Sequence, residues 1–397
     1  MIFMKNINIA VIGGGASGIY FAIACKKLLP DSRIEIYEKQ DRPLKKLKAS
    51  GNGRANLSNE KIDLKFYNTE NEIIKKAITN YGIEELKNFY KELNLPLISV
   101  DGRIYPKTES SDTVVRTLLS TCQSLGIEIL TNTKVENLSL ENFDFIILAT
   151  GSNAGTMGIS DGYDLCKNLK INPLFPSLVG ITVKNKGFEK IQGVRATAKL
   201  NLIINKKKIY TETGEIQFTK TGISGIPSLQ ISHFLTAENI KNAYVVLDFF
   251  PNEDEKELKN IMLNIKSKLK SLPLFSILDS LLNHKLAVYI MKEAKIICKS
   301  HDIYDIKESE IDDLVNTLKN FKLEVKGLKD FNSAQCVKGG IDLSEINDDF
   351  SLKSNNKIFA VGEILDVNGM CGGYNLQFAF SSAMTVAEEI KNRNDKS

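Results

Sequence analysis

Apolar and polar residues change rhythm several times along the chain, and each change predicts an element. Residues 7–12 form an almost unbroken apolar run, with Ile7, Ile9, Ala10, Val11 and Ile12 around a single Asn8. Such a run suits a strand buried on both faces. Glycines then interrupt it, and 19–29 reads as a helix that stops before Pro30. Residues 33–38 mix polar and apolar positions, with Ile34, Ile36 and Tyr37 as the apolar members of a second strand. Strand, turn, helix and strand within about 30 residues make one right-handed βαβ unit.

The same reading continues downstream. Residues 45–59 are basic and then glycine-rich, which predicts a loop with a short helix. Helical spacing of Ile73, Ile74, Ala77, Ile78 and Tyr81 predicts a helix over 71–91. A turn-rich connection follows at 101–111 around Gly102 and Pro106, then a helix over 113–125. Strands at 127–132 and 143–149 rejoin the first sheet. After Gly151 the character changes, with Pro173 and Pro176 marking a boundary. Short strands and turns fill 178–248, including 200–204, a lysine turn at 206–208, and 209–213. Residues 254–321 are helical, with one stripe at Leu258, Ile261, Ile265 and Leu269 and another at Ile311, Leu314, Leu318 and Phe321. A short strand at 357–361, a glycine-rich loop and a helix over 376–391 close the pattern, and 392–397 is a loose tail.

The order of elements predicts an α/β fold: a Rossmann-like domain split in sequence, a β-rich insert and a small helical domain. The expected segments are 1–176 for the first part of the split domain and 177–252 for the β-rich insert. The helical domain takes 253–321, the insert returns over 322–356, and the split domain closes over 357–397.

Gly13, Gly15 and Gly18 have the spacing G-x-G-x-x-G directly between a strand and a helix, with Gly14, Ala16 and Ser17 between them. Such a turn brings a pyrophosphate onto the helix N-terminus, and its third glycine lets helix and sheet pack closely. Glu38 lies twenty residues beyond Gly18 at the end of the second strand. A carboxylate there can accept the hydroxyls of an adenosine ribose. It also opposes a ribose 2′-phosphate, because two anions would repel. Ala149, Thr150 and Gly151 end a further apolar strand, and the strand before Gly362 and Glu363 arrives more than 200 residues later. A contiguous nicotinamide domain has no need of that late return. An extended FAD reaching from the first turn to a distant C-terminal loop does.

On these residues the chain resembles the two-dinucleotide-binding-type flavoproteins. More narrowly, it resembles the NAD(P)/FAD-dependent oxidoreductases that include the aminoacetone oxidase-like and BaiN-like flavoproteins. The resemblance spans essentially the whole chain. Its carriers are residues 13–18, 50–56 (SGNGRAN), 102–106 (GRIYP), 218–225 (FTKTGISG) and 362–377, the last being the most specific. It implies FAD as cofactor, held in a Rossmann-like domain, with a β-barrel-like insert and a helical domain beside it. Ala55 stands where the family usually has Cys, and Lys220 where it often has His, so neither a thiol nor an imidazole is expected at those positions.

Within the 50–56 loop, Arg54 is a candidate for the pyrophosphate, while Asn52 and the backbone of Ser50, Gly51, Gly53 and Asn56 can lie along the flavin. Lys45, Lys46 and Lys48 read as a solvated basic face, although Lys46 matches a lysine of the family within reach of phosphate. Lys39 and Val135 complete the expected dinucleotide set. By resemblance, Glu363 and Asp366 lie along the ribityl and phosphate region. Gly372, Gly373, Tyr374, Asn375 and Leu376 then open the last helix, whose N-terminus can face the N1–C2=O edge that is anionic in reduced flavin.

Composition narrows the chemistry. The chain has 397 residues, 43% hydrophobic and 25% charged, which is ordinary for a globular protein. A net charge of +4 argues against an extended nucleic-acid surface. The six cysteines form no Cys-x-x-Cys pair, and with three histidines no metal site is expected. This cysteine usage fits a reducing cytoplasm. The uncharged stretch 6–25 could be taken for a signal peptide or a span, but the glycines in its middle favour a strand, turn and helix. His233, His284 and His301 lie in the inserts, and no catalytic acid or base is identified. Cys371 borders the flavin loop, with packing as its expected role.

The expected function is FAD-dependent hydride transfer to or from a small organic substrate. Amine or aminoketone oxidation and nicotinamide-dependent reduction of an activated double bond both stay open. Only one dinucleotide fingerprint is present, so NAD(P)H would bind transiently. The alternatives are an FAD-dependent RNA-modifying enzyme and a non-catalytic flavin-binding redox sensor. No membrane partner is expected, and the oligomeric state is open.

Overall fold

A computed structural model describes residues 7–139, 141–155, 162–268, 273–296 and 306–396. It divides into two compact units. One comprises residues up to 176 together with 335 onward; the other is 177–334.

The first unit is built on the βαβ unit expected from the sequence. β1 (Asn8–Ile12), α1 (Ala16–Leu28) and β2 (Arg33–Tyr37) follow one another. α1 begins three residues earlier than its apolar pattern suggested, because Ala16 and Ser17 already form its first turn. Ser17 to Cys25 are all buried, since one side of α1 faces the sheet and another packs on the last helix. α2 (Lys45–Ala49) and a short strand β3 (Ser58–Asn59) come next.

The helix expected over 71–91 is two helices, α3 (Glu72–Asn80) and α4 (Ile83–Glu92). Gly82 caps α4, and Glu85 accepts from its N–H at 2.9 Å. The connection expected at 101–111 is instead half of a hairpin. β4 (Leu97–Val100) pairs antiparallel with β5 (Arg103–Pro106), and β5 also pairs with β3. Asp101 and Gly102, both at positive φ, form its two-residue turn. α5 (Ser111–Ser124), β6 (Glu128–Leu130), β7 (Phe145–Leu148) and β8 (Ile171–Ser177) complete this part.

The second unit holds six strands: β9 (Ile181–Val183), β10 (Arg195–Ile204), β11 (Lys207–Thr219), β12 (Gly222–Ser224), β13 (Ala243–Asp248) and β14 (Phe321–Leu328). They close an antiparallel barrel in the order β10-β11-β12-β9-β14-β13. The lysine turn lies at Asn205 and Lys206, both at positive φ, so Lys207 and Lys208 already belong to β11. α6 (Ile226–Ser232) packs on the barrel. α7 (Glu255–Lys268), α8 (Ser276–Asp279), α9 (His284–Glu293) and α10 (Glu308–Lys319) follow. Their inward side chains join the barrel interior in one apolar core, including Leu200, Phe218, Leu258, Ile290 and Leu314. The first helical stripe is shifted from expectation: Met262 is buried and Ile261 is exposed. Leu269 and His301 lie outside the described residues. Phe321 opens β14 rather than ending a helix.

The chain then returns to the first unit, earlier than expected. β15 (Cys336–Ile341) pairs with β8, and β16 (Ser351–Leu352) pairs with β17 (Asn355–Ala360). Residues 335–356 therefore pack with the split domain and not with the insert. α11 (Tyr374–Asp395) is longer at both ends than its pattern suggested. The finished sheet has the order β16-β17-β7-β1-β2-β6, parallel except for β16. Around α1, Tyr20, Phe89, Tyr90 and Phe380 stack edge to face, and the Tyr20 and Tyr90 hydroxyls meet at 2.6 Å. That bond satisfies two fully buried phenols; removing one partner would cost about 1–3 kcal/mol.

Candidate functional site

The site begins where β1 runs into α1. The N–H of Gly13 donates to Tyr37 O at 2.9 Å, fixing the turn against the end of β2. A Cβ on Gly18 would meet Gly13 O at 2.1 Å and the Ala149 Cβ at 3.3 Å, so only glycine permits this approach of helix to sheet. At Gly15 the situation reverses. A Cβ there would meet nothing closer than Ala149 O, at 3.9 Å. Gly15 is the N-cap of α1, no side chain caps the helix, and its first turn has no acidic residue. Open space thus adjoins uncapped, electropositive amides, a cradle with the chemistry of a phosphate site.

Glu38 is 9% exposed and held on both oxygens. One accepts from Gly14 N–H at 2.9 Å and the other from Gln40 N–H at 2.8 Å. A carboxylate has about four lone-pair positions, so one on each oxygen is left to accept from hydroxyls. Thr133 N–H donates to Glu38 O, which brings the segment carrying the half-buried Val135 alongside. Lys39 is also half-buried.

The parallel order of β17, β7 and β1 brings the ends of three strands together. Ala149 N–H donates to Ile12 O, and Val361 N–H to Leu148 O, both at 2.9 Å. Thr150 and Gly151 follow on from Ala149. A Cβ on Gly362 would lie 2.7 Å from Ser17 Oγ, so the C-terminal return touches the first turn directly. Glu363 accepts from Lys46 Nζ at 2.5 Å and from Val337 N–H at 3.2 Å. Lys46 also reaches Ser152 Oγ at 3.3 Å. It is therefore engaged with two other segments, although its side chain stays 41% exposed.

A second group forms around the last helix. Asn56 donates to Ser58 O at 2.9 Å and accepts from Gly373 N–H at 3.2 Å. Asn59 donates to Gly372 O at 3.1 Å. Asn375 accepts from Gly369 N–H at 2.8 Å and donates to Gly369 O at 2.9 Å, clasping its own loop. Tyr374 stacks on Phe66 with ring centres 4.7 Å apart, and burial pushes its phenol up to about 12. Leu376 lies in the first turn of α11. Gly51 and Asn52 are both left-handed inside a 3-10 turn over Ser50–Gly53, and Ser50 Oγ donates to Leu47 O at 2.7 Å. The loop around 50–56 and the loop around 369–375 are thus one structure.

Two expected ligands are otherwise engaged. Arg54 pairs with Glu109 at 3.2 Å and stacks on Tyr105 at 4.7 Å. Asp366 accepts from Asn68 at 3.0 Å, Asn172 at 2.8 Å and Gly339 N–H at 3.0 Å, so it fastens three segments. It also lines a polar cavity of about 660 Å³ with Asn68, Asn172 and Asp342. Sequence reasoning missed Lys338 and Tyr163 beside these carboxylates. The visible signal was a lone charge in the otherwise uncharged run 336–341.

Among the described residues no group of His, Cys, Asp and Glu could hold a metal, and no disulfide forms. Among the described residues no helix is long and apolar enough to cross a membrane. His233 is buried in the second unit, and His284 pairs with Asp279 at 2.9 Å on its surface.

A split Rossmann sheet, a glycine turn beneath an uncapped helix, a ribose-type carboxylate and a C-terminal return define a dinucleotide-binding flavoprotein. The HI0933-like protein Rossmann domain family matches residues 7–389, and the chain belongs to that family. It is an FAD-dependent oxidoreductase. It is 32% identical to a 3-dehydro-bile acid delta(4,6)-reductase of Clostridium scindens, over 97% of this chain and 99% of that protein. It is also similar to ribosomal RNA dihydrouridine synthases. That of Haemophilus influenzae is 26% identical and that of Escherichia coli 23%, each covering 98% of both chains.

Proposed function

We propose that the protein reduces a carbon–carbon double bond conjugated to a carbonyl, with NAD(P)H as the transient electron donor. One observation carries this reading. Full-length relatives are named for chemistry on quite different molecules, a bile acid and an RNA base, yet both names describe saturation of a ring double bond. What these names share is the reaction.

In this reading Glu38 holds the adenosine ribose, the amides of α1 and Lys46 face the phosphates, and the loop 369–375 with the α11 N-terminus meets the ring. The residues fit FAD on the strength of the open cradle at Gly15 and the uncapped helix behind it. Bound FAD would supply hydride chemistry at N5. The chain's own part is to bind, orient and exclude water. The partial charge of α11 stabilises the anionic reduced ring, an effect of about 0.3–1 kcal/mol when exposed and up to about 2 when partly buried. A small unsaturated molecule fits the 32% identity better than RNA does.

The test is anaerobic. Holoenzyme would be reduced with NADH or NADPH, then mixed with a 3-dehydro-Δ4,6 bile acid, 2-cyclohexenone or uridine-containing ribosomal RNA, while oxidised holoenzyme would be mixed with aminoacetone. Reoxidation of the flavin by an enone supports the reading. Reoxidation by RNA alone would move the substrate class to nucleic acid. Reduction of oxidised enzyme by aminoacetone, with no enone turnover, would overturn it.

A further inference from the structure

We propose that Lys338 is the acid–base group of the cofactor site, holding an exchangeable proton at Nζ beside the loop 369–375. The proposal rests on the reductase reading above and supplies the proton that reading requires.

The placement follows from β15. Side chains two apart on a strand share a face, so Lys338 lies on the face of Cys336. The Cys336 sulfur is met by the side-chain amides of Asn368 at 2.9 Å and Asn375 at 3.8 Å. Both asparagines belong to the loop that clasps Gly369 and opens α11. The backbone of the same strand holds the site's two carboxylates, with Val337 N–H on Glu363 and Gly339 N–H on Asp366. The strand and the loop are therefore one assembly, and Lys338 is the cation that β15 contributes to it.

Two charged or titratable groups act on Lys338: Cys336 of its own strand and Asp366 of the segment after β17. Asp366 also acts on Tyr163 of the 3-10 turn Gly162–Cys166, as do Glu363 and Cys166. β8, which pairs with β15, carries no titratable side chain. The Tyr163 hydroxyl is buried with no hydrogen-bond partner among the described residues, so the cluster has a polar atom to offer a ligand. Burial pulls the Lys338 ammonium down to about 8, although Cys336 and Asp366 pull the other way. The phenols of Tyr67, Tyr163 and Tyr374 are pushed up by burial and keep their protons at neutral pH. A proton donor works best with a pKa near the operating pH, and Lys338 meets that condition where the phenols do not.

The step balances. Saturating the conjugated bond adds a hydride and a proton. The hydride comes from the reduced cofactor, itself recharged by a reduced nicotinamide. One N–H bond of the Lys338 ammonium breaks and its electron pair stays on nitrogen. A C–H bond forms at the carbon next to the carbonyl, using the pair of the former π bond, and solvent returns a proton to the amine.

Two readouts separate this from the reductase reading. First, the visible spectrum of oxidised holoenzyme is titrated from pH 6 to 10. A flavin band shift with a midpoint near 8 is expected, absent in Lys338→Met and locked in the low-pH form in Lys338→Arg. An unchanged titration in Lys338→Met, or none in the parent, overturns the proposal. Second, pre-reduced enzyme is reoxidised by 2-cyclohexenone. Lys338→Met should slow this at least 100-fold, while reduction by NADH stays unchanged. Equal reoxidation rates in parent and Lys338→Met overturn the proposal. If no enone reoxidises the parent but the titration vanishes with Lys338, the reductase reading fails and the placement of Lys338 stands.

Discussion

Lys46 Nζ lies 2.5 Å from Glu363 Oε2, tying α2 to the segment after β17. The two residues come from opposite ends of the chain, and Glu363 Oε2 also borders Gly151, where a Cβ would meet it at 4.0 Å. The Lys46 side chain is 41% exposed and that of Glu363 20%, so solvent screens the pair and its net worth is about 0–1 kcal/mol. Lys46→Gln should therefore change apoprotein stability by less than about 1 kcal/mol in urea unfolding. FAD affinity should fall roughly tenfold, since in the proposed reading the lysine faces the phosphates. Equal affinities at low salt would remove Lys46 from the phosphate site.

Gly15→Val tests the cradle. The backbone at Gly15 is extended (φ −76°, ψ −174°), which valine adopts freely, and the space around a Cβ is open. Folding should lose only about 1 kcal/mol, for a poor N-cap residue. FAD affinity should fall more than 100-fold, roughly 2.7 kcal/mol, because the side chain fills the pyrophosphate's place. Fluorescence titration of the apoprotein measures this directly.

Gly373→Val acts on the protein before it acts on the flavin. Gly373 has φ +102°, and a Cβ there would lie 2.4 Å from Ser58 O. Strain and overpacking together should cost roughly 2–4 kcal/mol, with the loop parting from β3. Chemical unfolding would show the loss, and any drop in FAD affinity or flavin potential follows from it. Cys371→Ser in the same loop should shift stability by no more than about 0.5 kcal/mol.

Lys338 makes stability depend on pH in a stated direction. Its pKa falls from 10.5 to about 8 on folding. Below pH 8 both states hold the proton, and the fold bears the cost of a half-buried ammonium. Between pH 8 and 10.5 the unfolded chain holds more protons, so stability rises with pH. Lys338→Met should stabilise the apoprotein at pH 7 by roughly 3 kcal/mol, and this gain should fade to nothing by about pH 10.5. Urea midpoints of parent and variant at pH 7, 9 and 10 measure the difference. A gain that does not change with pH would mean that the ammonium is not buried in solution.

The βαβ unit, the late return of the last parallel strand and the β-rich insert were legible because each rests on local chemistry. Apolar runs, a glycine spacing and a composition shift at Pro176 survive folding unchanged. The hairpin around Asp101 and Gly102 was equally local, since Asp-Gly between apolar runs is a strong two-residue turn signal, but Pro106 drew the reading toward a loop. The break between α3 and α4 was hidden because helical spacing continues across Gly82. The engagement of Arg54 with Glu109, and of Asp366 with Asn68 and Asn172, depends on residues far apart in sequence. So does Lys338, whose meaning comes only from what β15 is packed against.

The split sheet also has a bearing on synthesis. β7 is complete by residue 148, but its neighbour β17 ends at residue 360. At about 5–20 residues per second, a ribosome needs roughly ten to forty seconds to cover that gap. Meanwhile the contiguous unit 177–334 has all its own strands and can close its barrel. Through that interval β7 offers a bare, apolar edge of the kind that recruits other chains. A nascent chain arrested after the barrel is therefore the most aggregation-prone form of this protein, and the last forty residues act as its shield.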